Sequence, residues 1–279
     1  MTTNNLKTGA LLLAISLLAV MIGRYFLGAG GAVIGLLVAF AFQAIGYFNG
    51  HKMALRFAHA QPLQAGSLPW LEDATAELSR KAGIPAPQIY LSPDPQPNAF
   101  AAGRNPEVAV VCFNEGLLRA MSRREVIAVL AHEIAHIKNR DTLTMTVVAA
   151  LASFVTMLAN FAYFIPAGSD EEGGRNFFVD LALMLVVPIA AMLVQMAISR
   201  TREFAADRTA AELMGESEPM VDALLTLERG TSVVASRTAQ PAMAHMYIAS
   251  PLSGGGIATL LSTHPPIAQR VAKLRALAG

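Results

Sequence analysis

Four stretches of this chain run without charge, and the segments between them have the mixed texture of a soluble domain. Thr8–Gly23 and Tyr25–Gly50 follow one another almost at once; Thr142–Ser169 and Leu181–Ser199 are separated by a polar loop containing Asp170, Glu171 and Glu172. A helix needs about twenty predominantly apolar residues to cross a bilayer. The pattern therefore predicts four spans in two hairpins, at about 8–23, 29–49, 143–165 and 178–199. The first run is short and follows Lys7, as in a signal peptide, but Gly23 runs straight into Arg24 with no clean small-x-small cleavage site. Two spans joined by a tight turn near Arg24 fit better. Pro188, inside the last run, is tolerated in a membrane helix.

Between the hairpins the periodicity changes. Leu68–Ala82 reads as a helix closed by Gly83 and Pro85, and Gln88–Leu91 as a short strand. Pro97–Gly103 reads as an extended edge segment and Glu107–Phe113 as a second strand, with the turn at Asn105–Pro106. A helix then starts at Ser122, which pairs with Glu125 as a capping box. Val126, Val129 and Leu130 recur along it at helical spacing. The tail, Thr201–Gly279, is helical at both ends, with a Ser-, Ala- and Gly-rich middle, Thr231–Gly256, expected to loop.

Composition agrees with a membrane protein. Of 279 residues only 15% are charged, against about 25% in soluble domains. A net charge of +1 gives no bulk attraction for nucleic acid. The single cysteine, Cys112, rules out a disulfide framework and a Cys-based zinc site; its apolar surroundings suggest a buried, inert thiol. Basic residues near the span ends fall unevenly. Lys7, Lys52, Arg56, Lys138, Arg140, Arg200 and Arg202 share one side, against Arg24 and Arg175 on the other, which places both termini and the polar segments in the cytoplasm.

The chemistry lies in the helix after Ser122, which contains His132, Glu133 and His136. Residues four apart share a helix face, so the two imidazoles can point at one cation, as a tetrahedral zinc site needs. Glu133 lies about 100° further round, badly placed as a ligand but within reach of a metal-bound water as general base. A third ligand is required. Glu203, just past the fourth span, can supply it, and Asp207 one turn on can accept the free N–H of a bound imidazole; the alternative is a surface carboxylate paired with Arg200 or Arg202. Metzincins place a third histidine where Thr142 stands. Glu171 and Glu172 lie on the opposite membrane side, and Glu212 and Glu216 lack an Asp one turn later. His51 and His59 flank a linker and His245 sits in the looping middle. His264, ahead of Pro265 and Pro266, is held at a loop–helix junction.

Pro97–Phe100, His132–Asp141, Arg202–Asp207 and Thr263–Pro266 followed by Arg270, taken in order with the two-hairpin pattern, resemble the M48 family of membrane zinc metalloproteases nearly end to end. The resemblance implies one zinc ion per chain on His132, His136 and Glu203, with Glu133 as base. It implies that Asn98 and His264 help to hold substrate or the tetrahedral intermediate. The implied role is quality control in the bacterial cytoplasmic membrane, by cuts in cytoplasmic segments of damaged or misfolded membrane proteins. Lys138 and Arg140 depart from the smaller residues common in relatives. The expected fold is mainly α with a small β-sheet: four transmembrane helices in two hairpins plus a cytoplasmic zincin-like metalloprotease domain. The expected division is an N-terminal hairpin, 1–59, and a second hairpin, 142–199, flanking and interrupting a protease domain built from 60–141 and 200–279.

Three rivals are weaker. In an intramembrane protease the zinc helix would be apolar on all sides, whereas Arg123, Arg124, Lys138, Arg140 and Asp141 bracket this one. A non-cleaving scaffold for unfolded segments has no need of Glu133. A transporter would show buried charge in its spans, and these contain only Asp180, at an edge.

Overall fold

The structure, a computed structural model, describes residues 3–146, 200–234, 236, 248 and 265–277. Most of the second expected hairpin, and His264, lie outside the described residues. Helix α1 (Thr3–Phe57) is broken at Gly28, whose φ of 63° and ψ of −149° are open essentially to glycine alone. The chain doubles back there. A Cβ on Gly23 would sit 2.0 Å from the Gly31 carbonyl oxygen, and one on Gly35 2.2 Å from that of Ala19. Further down, Gln43 Nε2 donates to the Leu12 carbonyl at 3.1 Å and lies 2.9 Å from Ser16 Oγ. Pairs 23/31, 19/35 and 12/43 define an antiparallel helical hairpin with backbones in close approach. The turn expected near Arg24 lies at Gly28, at the end of the 24–28 connection between the two expected spans, because its φ and ψ are ones that a glycine adopts at no steric cost and an arginine does not.

Both arms present large apolar side chains outward, among them Leu13, Leu17, Met21, Val33, Leu37 and Phe40. Leu27–Phe57 is, among the described residues, the one helical stretch long and apolar enough to cross a membrane, with mean hydropathy 1.9. It runs seven residues past the expected limit at Gly50 and enters the soluble part, where Ala54, Leu55 and Ala58 pack against Phe100, Val110 and Cys112.

The soluble part holds a four-stranded mixed sheet. Its strands are β1 (Gln61–Pro62), β2 (Gln88–Ser92), β3 (Ala99–Ala102) and β4 (Val110–Asn114), in the order β1-β2-β4-β3. β2 and β4 are parallel, and β3 pairs antiparallel with β4 as the edge strand, Phe100 opposite Cys112. β4 starts later than expected because Pro106–Val108 forms a 3₁₀ turn, with Asn105 Oδ1 accepting from the Val108 N–H. Pro106 suits the first position of such a turn and lacks the N–H a strand would use. Helix α2 (Pro69–Ala82) connects β1 to β2, and helix α3 (Glu115–Ala120) follows β4 and packs on it.

Helix α4 (Arg123–Lys138) is the centre of the core. Its capping box is complete: Ser122 accepts from the Glu125 N–H, and the Glu125 carboxylate accepts from the Ser122 N–H. Apart from Ile127, every residue from Val126 to Ile137 is buried, enclosed by α2, β3, α5 (Arg200–Met214) and α6 (Glu218–Val233). α6 extends beyond Thr231, where looping was expected. The last described helix is α7 (Ile267–Arg275), which packs on α5 and α6.

Candidate metal centre

α4 carries His132 and His136 one turn apart, and α5 crosses it to bring Glu203 alongside. His132 Nε2 and His136 Nε2 are 3.1 Å apart, with their rings edge-to-face at 88°. His132 Nε2 lies 3.7 Å from Glu203 Oε2, and His136 Nε2 lies 3.5 Å from Glu203 Oε1. All three residues are buried. With ligand bonds of about 2.0–2.1 Å, the edges of a tetrahedron around zinc are about 3.3 Å, so these atoms are spaced as three corners of such a site. They form, among the described residues, the one group of three His, Cys, Asp or Glu side chains close enough to hold a metal ion.

The other ring nitrogens are pinned. His132 Nδ1 lies 3.0 Å from Asp207 Oδ1, and His136 Nδ1 lies 3.1 Å from Asp141 Oδ2. A carboxylate on Nδ1 keeps the proton there and turns the Nε2 lone pair to the centre. Two lone pairs and a carboxylate facing one another in a dry pocket repel unless a cation or a proton lies between them. The donor set therefore fits a divalent metal.

The carboxylates have their own supports. Arg270, fully buried on α7, donates to Asp207 in a fork, Nε to Oδ2 at 2.8 Å and Nη2 to Oδ1 at 2.6 Å, and its Nη1 lies 3.4 Å from Glu203 Oε2. Asp141 reaches back to His136 because Arg140 takes a positive φ of 62°, which ends α4 and turns the chain sharply. Arg202 Nε lies 3.7 Å from the other Asp141 oxygen. Asp207 was anticipated from the sequence as an imidazole partner; Asp141 was not given that role and entered only as the last residue of the His132–Asp141 motif. Arg270 was legible only as part of a motif, since nothing in its spacing from Asp207 announces an ion pair.

Glu133 faces the edge strand. β4 takes its bonds from β3 at alternate residues: the Asn114 N–H donates to the Asn98 carbonyl at 2.9 Å, so Phe100 and Ala102 also face β4, and the amides of Ala99 and Ala101 point the other way. The Ala101 N–H donates to the Glu133 carboxylate. Burial pushes that carboxyl up to about 7, with Glu203 adding to the rise and His136 and the Ala101 N–H opposing it. Asn98 begins the same strand. Its Oδ1 accepts from the N–H groups of Ala99 and Ile248, both at 3.0 Å, and the Ile248 carbonyl accepts from Arg270 Nη1 at 3.2 Å.

A glutamate and two histidines on one buried helix, a carboxylate from the next and an edge strand alongside make up the layout of a metallopeptidase. The chain belongs to peptidase family M48, whose model matches residues 67–278, and it is a membrane metalloprotease. It is 43% identical over 280 residues to the protease HtpX homolog of Pelotomaculum thermopropionicum (strain DSM 13744 / JCM 10971 / SI), covering 99% of each chain. Its fold is similar to the crystal structure of S. mikatae Ste24p, with a TM-score of 0.53 at 19% identity over 98% of this chain. It spans 65% of that larger protein.

Proposed function

We propose that this protein is a zinc endopeptidase of the bacterial cytoplasmic membrane that cuts extended segments of misfolded or damaged membrane proteins. The observation that carries the reading is the convergence of the His132, His136 and Glu203 ligand atoms within 4.8 Å, beside a carboxylate hydrogen-bonded to the edge strand of the sheet. In this proposal those three residues hold the ion, and Asp207 and Asp141 orient the rings. When bound, zinc supplies Lewis acidity, polarising a carbonyl and making a water easier to deprotonate.

Glu133 takes a proton from the attacking water and passes it to the leaving amine. Its buried carboxyl, balanced near neutrality, suits both roles. Substrate adds as a further strand along β3, held through backbone groups of Ala99 and Ala101, which favours unfolded chains and gives weak sequence preference. Pairing there requires the buried strand to be uncovered and the N–H groups of Ala99 and Ala101 to be shared with or released by Asn98 Oδ1 and Glu133. Asn98 acts on substrate by fixing the start of β3, and His264, just before α7, donates to the developing oxyanion. The second hairpin, at 142–199, returns the chain to the face it left, with both termini and the site in the cytoplasm, as the excess of basic residues on that side favours.

The test is cleavage of a disordered reporter by the purified protein, with and without zinc. Glu133→Gln is expected to keep zinc and lower the rate by about 10²–10⁴-fold. An unchanged rate in that variant rejects the assignment of the base and the hydrolytic mechanism with it.

A further inference from the structure

We propose that the base of the α1 hairpin carries a binding site for the headgroup of an anionic phospholipid, formed by Arg104 and Lys52 with Arg56 beside them, and walled by Phe48 and Tyr47. Phe48, Lys52 and Arg56 follow each other at four-residue spacing and so form one stripe along the helix. All three are exposed. Phe48 and Tyr47 make an edge-to-face pair with ring centroids 5.0 Å apart. The Arg104 guanidinium lies over both rings, 5.2 Å from the Phe48 centroid and 5.9 Å from that of Tyr47. A guanidinium stacked in this way still offers the N–H groups at its edge, the fork that matches a phosphate. Lys52, one turn beyond Phe48, and Arg104 both act electrostatically on the intervening His51.

Among the described residues, no ion pair includes Lys52, Arg56 or Arg104. The position selects the partner. Val33, Leu37, Phe40 and Ile45 are exposed along the preceding stretch, within the helix that can cross the membrane. Aromatic rings followed by lysine and arginine mark the level where hydrocarbon gives way to headgroups. Clustered basic residues at that level attract anionic lipid.

Arg104 makes this more than the ordinary basic end of a span, because it comes from the soluble domain. It follows β3 directly, on a loop held by the Gly103 N–H to Thr146 Oγ1 at 3.1 Å. Gly103 has a φ of 147°, and a Cβ there would lie 2.7 Å from Ala109 Cα, so the loop has little freedom to carry Arg104 elsewhere. A headgroup bridging Arg104 and Lys52 ties the end of the edge strand to the bilayer surface.

The experiment uses the full chain in nanodiscs of phosphatidylcholine containing a minor fraction of phosphatidylglycerol, with native mass spectrometry of the lipids retained. The wild type is expected to keep phosphatidylglycerol in preference to phosphatidylcholine. At about fivefold per cation, the double variant Arg104→Gln, Lys52→Gln should lower that preference about twenty-fivefold. Arg104→Lys, which keeps the charge but loses the fork, should retain only part of it, and Arg24→Gln, at the other end of the hairpin, should leave it unchanged. If the double variant does not fold, Lys52→Gln alone, an exposed change, should lower the preference about fivefold. No preference in the wild type, or an undiminished preference in the folded glutamine variants, overturns the proposal. Displacement of the lipid by a soluble acidic peptide of equal charge would assign the patch to a protein partner and overturn it as well.

Discussion

His132 and His136 are the same residue type, one turn apart on one helix, and each has a carboxylate on Nδ1, yet the two halves of the centre differ electrostatically. Burial lowers the pKa of His132, and the nearby His136 and Arg270 add to that against the pull of Asp207. Burial also presses His136 down, but Asp141 and Glu203 outweigh it and push it up to about 9. The difference lies in the other charges around each ring: Glu203 and Glu133 draw a proton to His136, while Arg270 repels one from His132. Asp207 still pulls His132 up, but the Arg270 guanidinium that it pairs with stands beside the same ring and, with His136, pushes the other way. Asp141 faces Arg202 through a single contact at 3.7 Å and acts on His136 with less opposition. The same carboxylate–imidazole pair thus leaves two different proton affinities, according to whether a cation or further carboxylates stand beside the ring.

The largest expected effect comes from breaking the better-paired half. Arg270→Met leaves Asp207 buried without its counter-charge, and thermal or chemical unfolding should show a loss of about 3–5 kcal/mol. It should also make His132 behave like His136, with a higher proton affinity. Next come the two carboxylates: Asp207→Asn and Asp141→Asn should each weaken zinc binding by about 10–100-fold in competition with a chelator. Equal zinc affinity in wild type and both variants would remove the orienting role given to them. A smaller effect is the pH slope of zinc affinity. His136 holds a proton below about 9, and zinc must displace it, so affinity should rise by about tenfold per pH unit toward that value and then level off, unless other groups titrate with it. Asp141→Asn should move the levelling point down, whereas Asp207→Asn should not. Smallest is Arg202→Met, expected to cost at most about 1–2 kcal/mol, since its contact with Asp141 is long at 3.7 Å and its buried Nη1 and Nη2 have no hydrogen-bond partner among the described residues, so relief of the buried charge offsets much of the lost attraction.

Much of the centre was legible because its signals are local. The capping box at Ser122 and Glu125 fixed where α4 begins, and the four-residue spacing of His132 and His136 fixed a shared face. The second helix was readable from Glu203 and Asp207, one turn apart, and the edge strand from Pro97–Gly103. The rest depended on long-range or backbone facts. Asp141 reaches His136 only because Arg140 adopts a left-handed conformation, which nothing in its residue type announces. The pairing of Arg270 with Asp207 joins helices far apart in the chain. The hairpin turn fell at Gly28 rather than near Arg24 because charge marks a span's end only coarsely, while a reversal needs a residue with the required backbone freedom. Pro106, read as part of a turn before a strand, instead opens a 3₁₀ turn that shortens β4.

The central claim is that His132, His136 and Glu203 share one ion. X-ray absorption at the zinc edge, on the Glu133→Gln protein loaded with one equivalent of zinc, tests it most directly. The account predicts two imidazole nitrogens and a carboxylate oxygen at about 2.0–2.2 Å, with that pattern lost and zinc content reduced when Glu203→Ala is added. An unchanged spectrum and stoichiometry in the double variant would contradict it.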